Sequence, residues 1–115
     1  PNPLCQWLDS VRQCVDLPDS TLVLPAHNQP FYGLHARAKS IIEHHEENCA
    51  ALESACSQKT PGQQLLSVLF NRPLNSFETA LAIGECSAHL NYLVNRNRLE
   101  RHLDINGTYL YKTPQ

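Results

Sequence analysis

Residues 99–111 read Leu99-Glu100-Arg101-His102-Leu103-Asp104-Ile105-Asn106-Gly107-Thr108-Tyr109-Leu110-Tyr111, and this stretch decides the fold. Its two flanks alternate between apolar and polar residues, which is the period of a strand with one buried face. An Asn-Gly pair between two such flanks is the strongest short-range signal for a β-hairpin. We therefore predict a hairpin centred on Asp104 to Gly107.

Three helical patterns precede this hairpin. Apolar residues recur at helical spacing from His35 to about Gln58, and again in two shorter segments that follow Thr60 and Ser76. Thr60 and Ser76 are predicted N-caps, with Gln63 and Thr79 at the capping-box positions. Three helices followed by a hairpin is the order of a winged-helix domain, so the chain is predicted to be mainly α with a winged-helix-like unit. The predicted apolar face of the last helix comprises Ala80, Ile83, Cys86 or Ser87, Leu90, Leu93 and Val94.

The N-terminal part of the chain has a different organisation. A helix is predicted from Pro3 to Leu17, ending before Pro18. The apolar, β-branched run Thr21 to Leu24 predicts a short strand that stops at Pro25 and places His27 in a turn. No partner strand is evident nearby, so the sheet that this strand joins is expected to come from elsewhere. This part is interpreted as a helix-strand remnant of a larger α/β domain.

Composition limits the classes of function. The chain has 115 residues, 42% hydrophobic content and a formal net charge of −2, which indicates a globular protein without general attraction to nucleic acid or anionic membranes. No apolar run approaches the roughly 20 residues that span a bilayer. The five cysteines form no Cys-x-x-Cys pair, which favours reduced, mostly buried thiols and a cytoplasmic location.

Several motifs occur in a defined order along the chain. They are Pro25-Ala26-His27-Asn28, then Arg37 and His44-His45, then Thr60-Pro61, then Ala88-His89-Leu90-Asn91-Tyr92-Leu93, and finally the hairpin. This order resembles the C-terminal portion of metallo-β-lactamase-fold hydrolases that carry a helical, winged-helix-like tail. In those proteins the first motif is Pro-Gly-His-Gly. Here Ala26 and Asn28 replace the glycines, and Asn tolerates a positive φ better than Ala does.

The resemblance implies that His27 is the last histidine of a metal site. Such hydrolases use two metal ions, often zinc, to cleave ester, thioester or similar bonds. One histidine cannot hold a catalytic metal, and the family's His-x-His-x-Asp-His motif would lie upstream of these residues. This chain alone is therefore expected to be inactive, and its expected partner is the N-terminal catalytic portion of the same protein.

The resemblance also implies that the chain consists of parts of two domains. Residues 1–34 are expected to be the end of the metallo-β-lactamase αββα sandwich, and residues 35–115 to form the helical C-terminal domain. That domain is expected to shape one wall of the active site or a dimer interface. An uncovered apolar surface is predicted around Leu22 to Leu24 and the first helix, and a homo-oligomer could cover it.

The alternative is a free-standing winged-helix module that binds nucleic acid or another partner. Its phosphate contacts would come from Arg96, Arg98, Arg101 and Lys112, but Glu78 and Glu85 on the preceding helix oppose that role, and nucleic acid is not the expected partner.

Two pairs, each of one histidine and one cysteine, have the spacing of metal ligands on a helix. They are His45 with Cys49 and Cys86 with His89. No third ligand is evident for either pair, and the simpler interpretation is packed histidines, with His89 hydrogen-bonded to the backbone.

Overall fold

The computed structural model describes residues 2–115, which form four α-helices and three short strands. The helices pack around a single core, and the strands form a small antiparallel sheet at one end. The helices are α1 (Pro3–Gln13), α2 (Leu34–Ala55), α3 (Gly62–Leu69) and α4 (Ser76–Asn95), and the strands are β1 (Thr60–Pro61), β2 (Glu100–Leu103) and β3 (Tyr109–Lys112).

The first two helices lie where the periodicity predicts them. The Asn2 side chain accepts a hydrogen bond from the Cys5 N–H at the start of α1. The chain then tightens into a 3-10 turn over Cys14–Asp16, because the residue before Pro18 cannot continue the helix. Gly33 precedes α2 with a φ of 94°, a left-handed conformation that glycine adopts without strain.

The predicted N-cap of α4 is wrong by one residue. Asn75, not Ser76, caps the helix, and its side chain accepts the Glu78 N–H at 2.8 Å. The Glu78 carboxylate in turn accepts the Asn75 N–H at 3.2 Å, which completes a capping box in place of the one predicted at Thr79. Asn and Ser are comparable caps, so only the position of the acidic partner distinguishes them.

The predicted N-cap at Thr60 is also wrong. Thr60 and Pro61 form β1, which pairs with Tyr111 and Leu110 of β3. The Thr60 hydroxyl donates to the Gln58 carbonyl at 2.8 Å instead of accepting from a helical N–H. Helix α3 starts at Gly62 without a side-chain cap, because tertiary pairing with β3 determines the conformation of residues 60–61.

The predicted hairpin is confirmed, although its turn differs from the type expected for Asn-Gly. Strand β2 pairs with β3 from Glu100 opposite Lys112 to Leu103 opposite Tyr109. The Asp104 carboxylate accepts the N–H groups of Asn106 and Thr108, and Gly107 alone in this loop takes a positive φ, of 80°. The turn is therefore a type I turn closed by a glycine bulge, and β3 is the central strand in the order β1-β3-β2.

Residues 21–24 do not form the predicted strand. Val23 makes a single antiparallel bridge with Phe31 through two backbone hydrogen bonds of 2.8 and 3.0 Å. Val23 therefore has a bridge partner that was not predicted, but none of the three described strands pairs with residues 21–24. Leu22 and Leu24 on either side of the bridge are 47% and 73% exposed, so the predicted apolar surface is present.

The core lies between α1, α2, α3 and α4. Six side chains at its centre are fully buried, and α2 supplies two of them; they are Leu8, Cys49, Leu52, Cys56, Leu65 and Leu93. All five cysteines of the chain are free thiols, as predicted. Burial raises the pKa of Cys49 and of Cys86 to about 11, which keeps both protonated at neutral pH and makes them poor nucleophiles.

The predicted apolar face of α4 is only partly correct. Cys86, Leu90 and Leu93 are buried, whereas Ile83 is 52% exposed, and Ala82, His89 and Tyr92 are buried in addition. The buried side of α4 therefore includes His89, which contacts His45 of α2. Within residues 2–115, no helix is both long enough and apolar enough to cross a membrane.

Candidate functional site: the His27 loop and its cavity

His27 lies on an exposed loop that is closed at its base. The bridge between Val23 and Phe31 brings the two ends of the loop together, so residues 24–30 project as one unit. Asn28 has a φ of 71°, while Ala26 is not among the residues with a positive φ. Asn28 therefore takes the left-handed conformation, which asparagine tolerates better than alanine does. A short side chain that tolerates this conformation turns the backbone immediately after His27.

The segment before the loop is attached to the start of α2. The His35 Nε2–H donates to the Leu17 carbonyl at 2.7 Å, and the His35 backbone N–H donates to the Asp19 carboxylate at 3.0 Å. Both contacts hold the chain that follows α1 against the first turn of α2. The loop that carries His27 is therefore positioned by helices on both sides of it.

His27 faces an open cavity of about 870 Å³. The wall opposite the loop consists of the Trp7 ring from α1 and the Arg37 side chain from α2. Phe31 also lines this cavity, whereas Tyr32, beside it, is not among its lining residues. The remaining lining residues are Pro25, Ala26, Asn28 and Gln29.

A second cavity of about 390 Å³ adjoins the first. Both cavities share Trp7 and Arg37, so these two side chains form the divide between them. The second cavity is further lined by Ser40, Ile41, His44 and His45 from one face of α2. Three histidines, one tryptophan and one arginine thus border a continuous concave surface.

His45 and His89 form a hydrogen-bonded pair between α2 and α4. Their rings stack with centroids 5.0 Å apart, and His45 Nδ1 lies 2.9 Å from His89 Nε2. The His89 Nδ1 must donate to the Glu85 carbonyl, 2.7 Å away, because a carbonyl oxygen only accepts. His89 Nε2 is then the acceptor and His45 Nδ1–H the donor, so neutral His45 carries its free lone pair on Nε2.

The prediction that His89 is packed and bonded to the backbone is confirmed, but its pairing with His45 was not predicted. Each histidine lies among apolar residues of its helix, and this was the sequence signal that both are at least partly buried. Nothing in the sequence shows that α2 and α4 place these two positions opposite each other.

The arginines that follow α4 are engaged within the chain. Arg98 donates to both carboxylate oxygens of Glu53, at 2.5 and 3.2 Å, and to Glu46 at 3.4 Å. The Arg96 guanidinium lies over the Tyr92 ring, and Arg101 lies over two tyrosine rings of β3. These contacts engage the three arginines of the basic cluster without a phosphate ligand.

Comparison with known families identifies the chain. The model of the family described as "Metallo-beta-lactamase-like, C-terminal domain" matches residues 49–114, which is more than half of the chain. The chain belongs to this family. A comparison with curated proteins finds no match.

Two solved structures extend the similarity across nearly the whole chain. A beta-lactamase domain protein from Burkholderia ambifaria is 29% identical over 99% of this chain, with a TM-score of 0.94. A metallo-beta-lactamase family protein from Thermus thermophilus is 26% identical over 98% of the chain, with a TM-score of 0.81. The chain spans only 34% of the length of each of these proteins.

The described residues of this chain do not by themselves make a metal site. Residues 2–115 contain no group of three or more histidine, cysteine, aspartate or glutamate side chains arranged to hold an ion. The helical pairs His45 with Cys49 and Cys86 with His89 gain no third ligand, and His45 Nδ1 is instead bonded to His89. Any metal that His27 binds therefore requires ligands from outside these residues.

The histidine pair predicts that stability falls in acid. Burial is the main cause that lowers the pKa of His45, the neighbouring His89 and His44 lower it further, and Glu85 raises it. The unfolded chain takes up a proton near pH 6.5, which the folded chain resists, so stability is present above that pH and decreases below it. We expect the midpoint of urea unfolding to be at a lower urea concentration at pH 5 than at pH 7.5.

The variant His45→Asn tests the source of this dependence. The asparagine amide keeps a donor near the position of Nδ1 but does not titrate, so the decrease in acid should become smaller. His102→Asn replaces a half-exposed histidine on β2 that takes no part in this pair, and it should retain most of the wild-type dependence. Equal slopes for His45→Asn and the wild type would contradict the assignment.

Proposed function

We propose that the chain is the C-terminal part of a metal-dependent hydrolase of the metallo-β-lactamase superfamily, acting on an ester, thioester or similar bond. Family membership carries the proposal, and the similarity to the Burkholderia ambifaria structure, which covers 99% of the chain, extends it to the segment that holds the exposed His27. In the longer protein His27 supplies one metal ligand, and the cavity between Trp7 and Arg37 forms a wall of the active site.

The exposed apolar surface supports a covalently attached partner. Leu22, Leu24, Val15 and Leu17 are each about half exposed or more, and all belong to the segment before α2. Exposed apolar side chains concentrated in one segment favour an interface there. The N-terminal catalytic portion of the same protein is the proposed occupant, since the related structures are about three times as long as this chain. In its absence the same surface favours self-association.

The proposed roles of the two parts of the chain follow the order of its helices and strands. Residues 1–34 complete the edge of the catalytic domain, and residues 35–115 form a winged-helix-like unit. Three helices followed by a hairpin support that description, with β1 adding a third strand to the wing. The engagement of Arg96, Arg98 and Arg101 within the chain favours a structural role for this unit over nucleic-acid binding.

Zinc is the proposed metal, since imidazole suits it and the chemistry is hydrolytic. When bound in the longer protein, it would polarise the scissile bond. This chain contributes His27 and the cavity wall, and it is proposed to be inactive alone.

The experiment uses the longer protein that carries this chain. Its coding sequence upstream is expected to contain an in-frame His-x-His-x-Asp-His motif. His27→Ala should lower both the affinity for zinc and the rate of p-nitrophenyl acetate hydrolysis by roughly a hundredfold. Loss of even an indirect partner of a metal ligand lowers affinity or activity by about 10- to 100-fold.

His102→Ala is the matched control, because it removes a half-exposed histidine that lies on β2 rather than on the His27 loop. It should leave zinc content and activity unchanged. An upstream sequence without the motif, or full zinc content in the His27→Ala protein, would refute the proposal.

A further inference from the structure

Arg37 is distinguished from the other arginines by its lack of a partner. Among the described residues Arg12, Arg72 and Arg98 pair with carboxylates, and Arg96 and Arg101 lie over tyrosine rings. The Arg37 guanidinium has neither kind of contact in the described part of the chain, although it is exposed at the divide between the two cavities. Its five N–H donors are free to bind a ligand.

None of the described residues that line the two cavities around Arg37 is acidic. The lining of both cavities consists of aromatic, amide, hydroxyl, aliphatic and imidazole groups, with Arg37 as the only side chain that is always charged. This distribution is notable because the chain has 11 acidic and 9 basic residues. A concave surface with one sign of charge concentrates ions of the opposite sign, so this surface favours an anion.

Trp7 adds an apolar plane beside the guanidinium. Trp7 is 45% exposed, and its ring meets the His45 ring in a T-shaped contact with centroids 5.0 Å apart. This contact fixes the indole while leaving part of it open to the shared divide. A guanidinium fork binds a carboxylate or phosphate with two parallel hydrogen bonds, and an indole stacks on a planar group.

We propose that Arg37 and Trp7 form a subsite for a substrate with an oxyanion group, carboxylate or phosphate, attached to a planar apolar body. Arg37 binds the oxyanion and Trp7 the planar part. The inference rests on the proposed function for its role beside the metal-dependent site. The binding itself depends only on residues of this chain.

Fluorescence offers a direct test, because Trp7 is the only tryptophan in the chain. Phenyl phosphate and benzoate are titrated separately into the 115-residue chain while Trp7 emission is followed. At least one of them should produce a saturable change, and the tighter of the two identifies the preferred oxyanion. Inorganic phosphate lacks the planar body, and benzyl alcohol lacks the charge, so both should bind at least about tenfold more weakly.

Two variants at Arg37 and one control define the subsite. Arg37→Ala should weaken binding of the preferred probe about tenfold or more, the usual cost of losing hydrogen bonds to a charged group. Arg37→Lys should be intermediate, because an ammonium keeps the charge but lacks the planar fork. Lys39→Ala removes a positive charge two residues away on α2, where Lys39 faces Glu43 instead of the cavity, and should leave binding unchanged.

The opposite results would overturn the inference. They are the absence of a saturable change with either probe, binding that Arg37→Ala does not weaken, binding that Lys39→Ala weakens equally, or benzyl alcohol binding as tightly as the anions. None of these titrations involves a metal. A failure here would leave the role of His27 intact, and a failure of the zinc experiment would leave the anion subsite intact.

Discussion

Replacing Leu52 with alanine is expected to lower the free energy of unfolding by about 3 kcal/mol. Leu52 lies in the last third of α2, and its side chain is completely buried. It belongs to the core cluster together with Leu8 of α1, Leu65 of α3 and Leu93 of α4. Truncation removes buried methyl groups and leaves a cavity that four helices cannot all move to fill. Urea unfolding followed by circular dichroism measures the change.

Leu81→Ala provides the matched control for this prediction. Leu81 is also in the interior of a helix, but it is 56% exposed, so the same substitution should have a much smaller effect. If Leu52→Ala proves too unstable to fold, Leu52→Val should still cost about 1 kcal/mol. A Leu52 variant that is as stable as Leu81→Ala would show that α2 does not form the centre of the core.

Replacing Arg98 with alanine is expected to cost about 2 kcal/mol, the middle of the range for hydrogen bonds to charged groups. The Arg98 and Glu53 side chains are 31% and 28% exposed, and two N–H···O contacts join them. The hydrogen bonds to Glu53 are also the main reason that the pKa of Arg98 is raised. Removing the guanidinium leaves a half-buried carboxylate without its partner, which costs more than breaking an exposed ion pair.

Arg12→Ala is the control, because Arg12 and Asp9 form an ion pair at 3.2 Å with both side chains more exposed, at 41% and 57%. Exposed pairs contribute about 0.5 kcal/mol or less. Thermal unfolding of Arg98→Ala, Glu53→Gln and the double variant measures the coupling between the two residues. Additive effects in this cycle would contradict a direct interaction.

The helices and the hairpin could be predicted because each has a local cause. The periodicity of α2 and the alternation around Asn106-Gly107 persist in the structure, since packing reinforces them. The order of the motifs also identified the family. His27 and Arg37 are part of that order, but a sequence pattern does not show that both line one cavity.

The incorrect predictions involve residues whose conformation depends on distant partners. Thr60 and Pro61 have the pattern of a helix start, but pairing with Tyr111 and Leu110 of β3, far along the chain, makes them a strand. Val23 finds its partner in Phe31 across a loop of irregular backbone, which no periodicity describes. The contact between His45 and His89 depends on how two helices cross, and that angle is set by side-chain packing along their whole length.

The strand order β1-β3-β2 has a consequence for biosynthesis. A ribosome releases the outer strands β1 and β2 first, and the strand that joins them, β3, is made last of the three. Until Tyr109–Lys112 has emerged, neither outer strand has a neighbour with which to exchange backbone hydrogen bonds. The Thr113 N–H, which donates to the Cys56 carbonyl at 2.8 Å, emerges later still. The helices can therefore associate during translation, whereas the sheet can assemble only after β3 has left the exit tunnel.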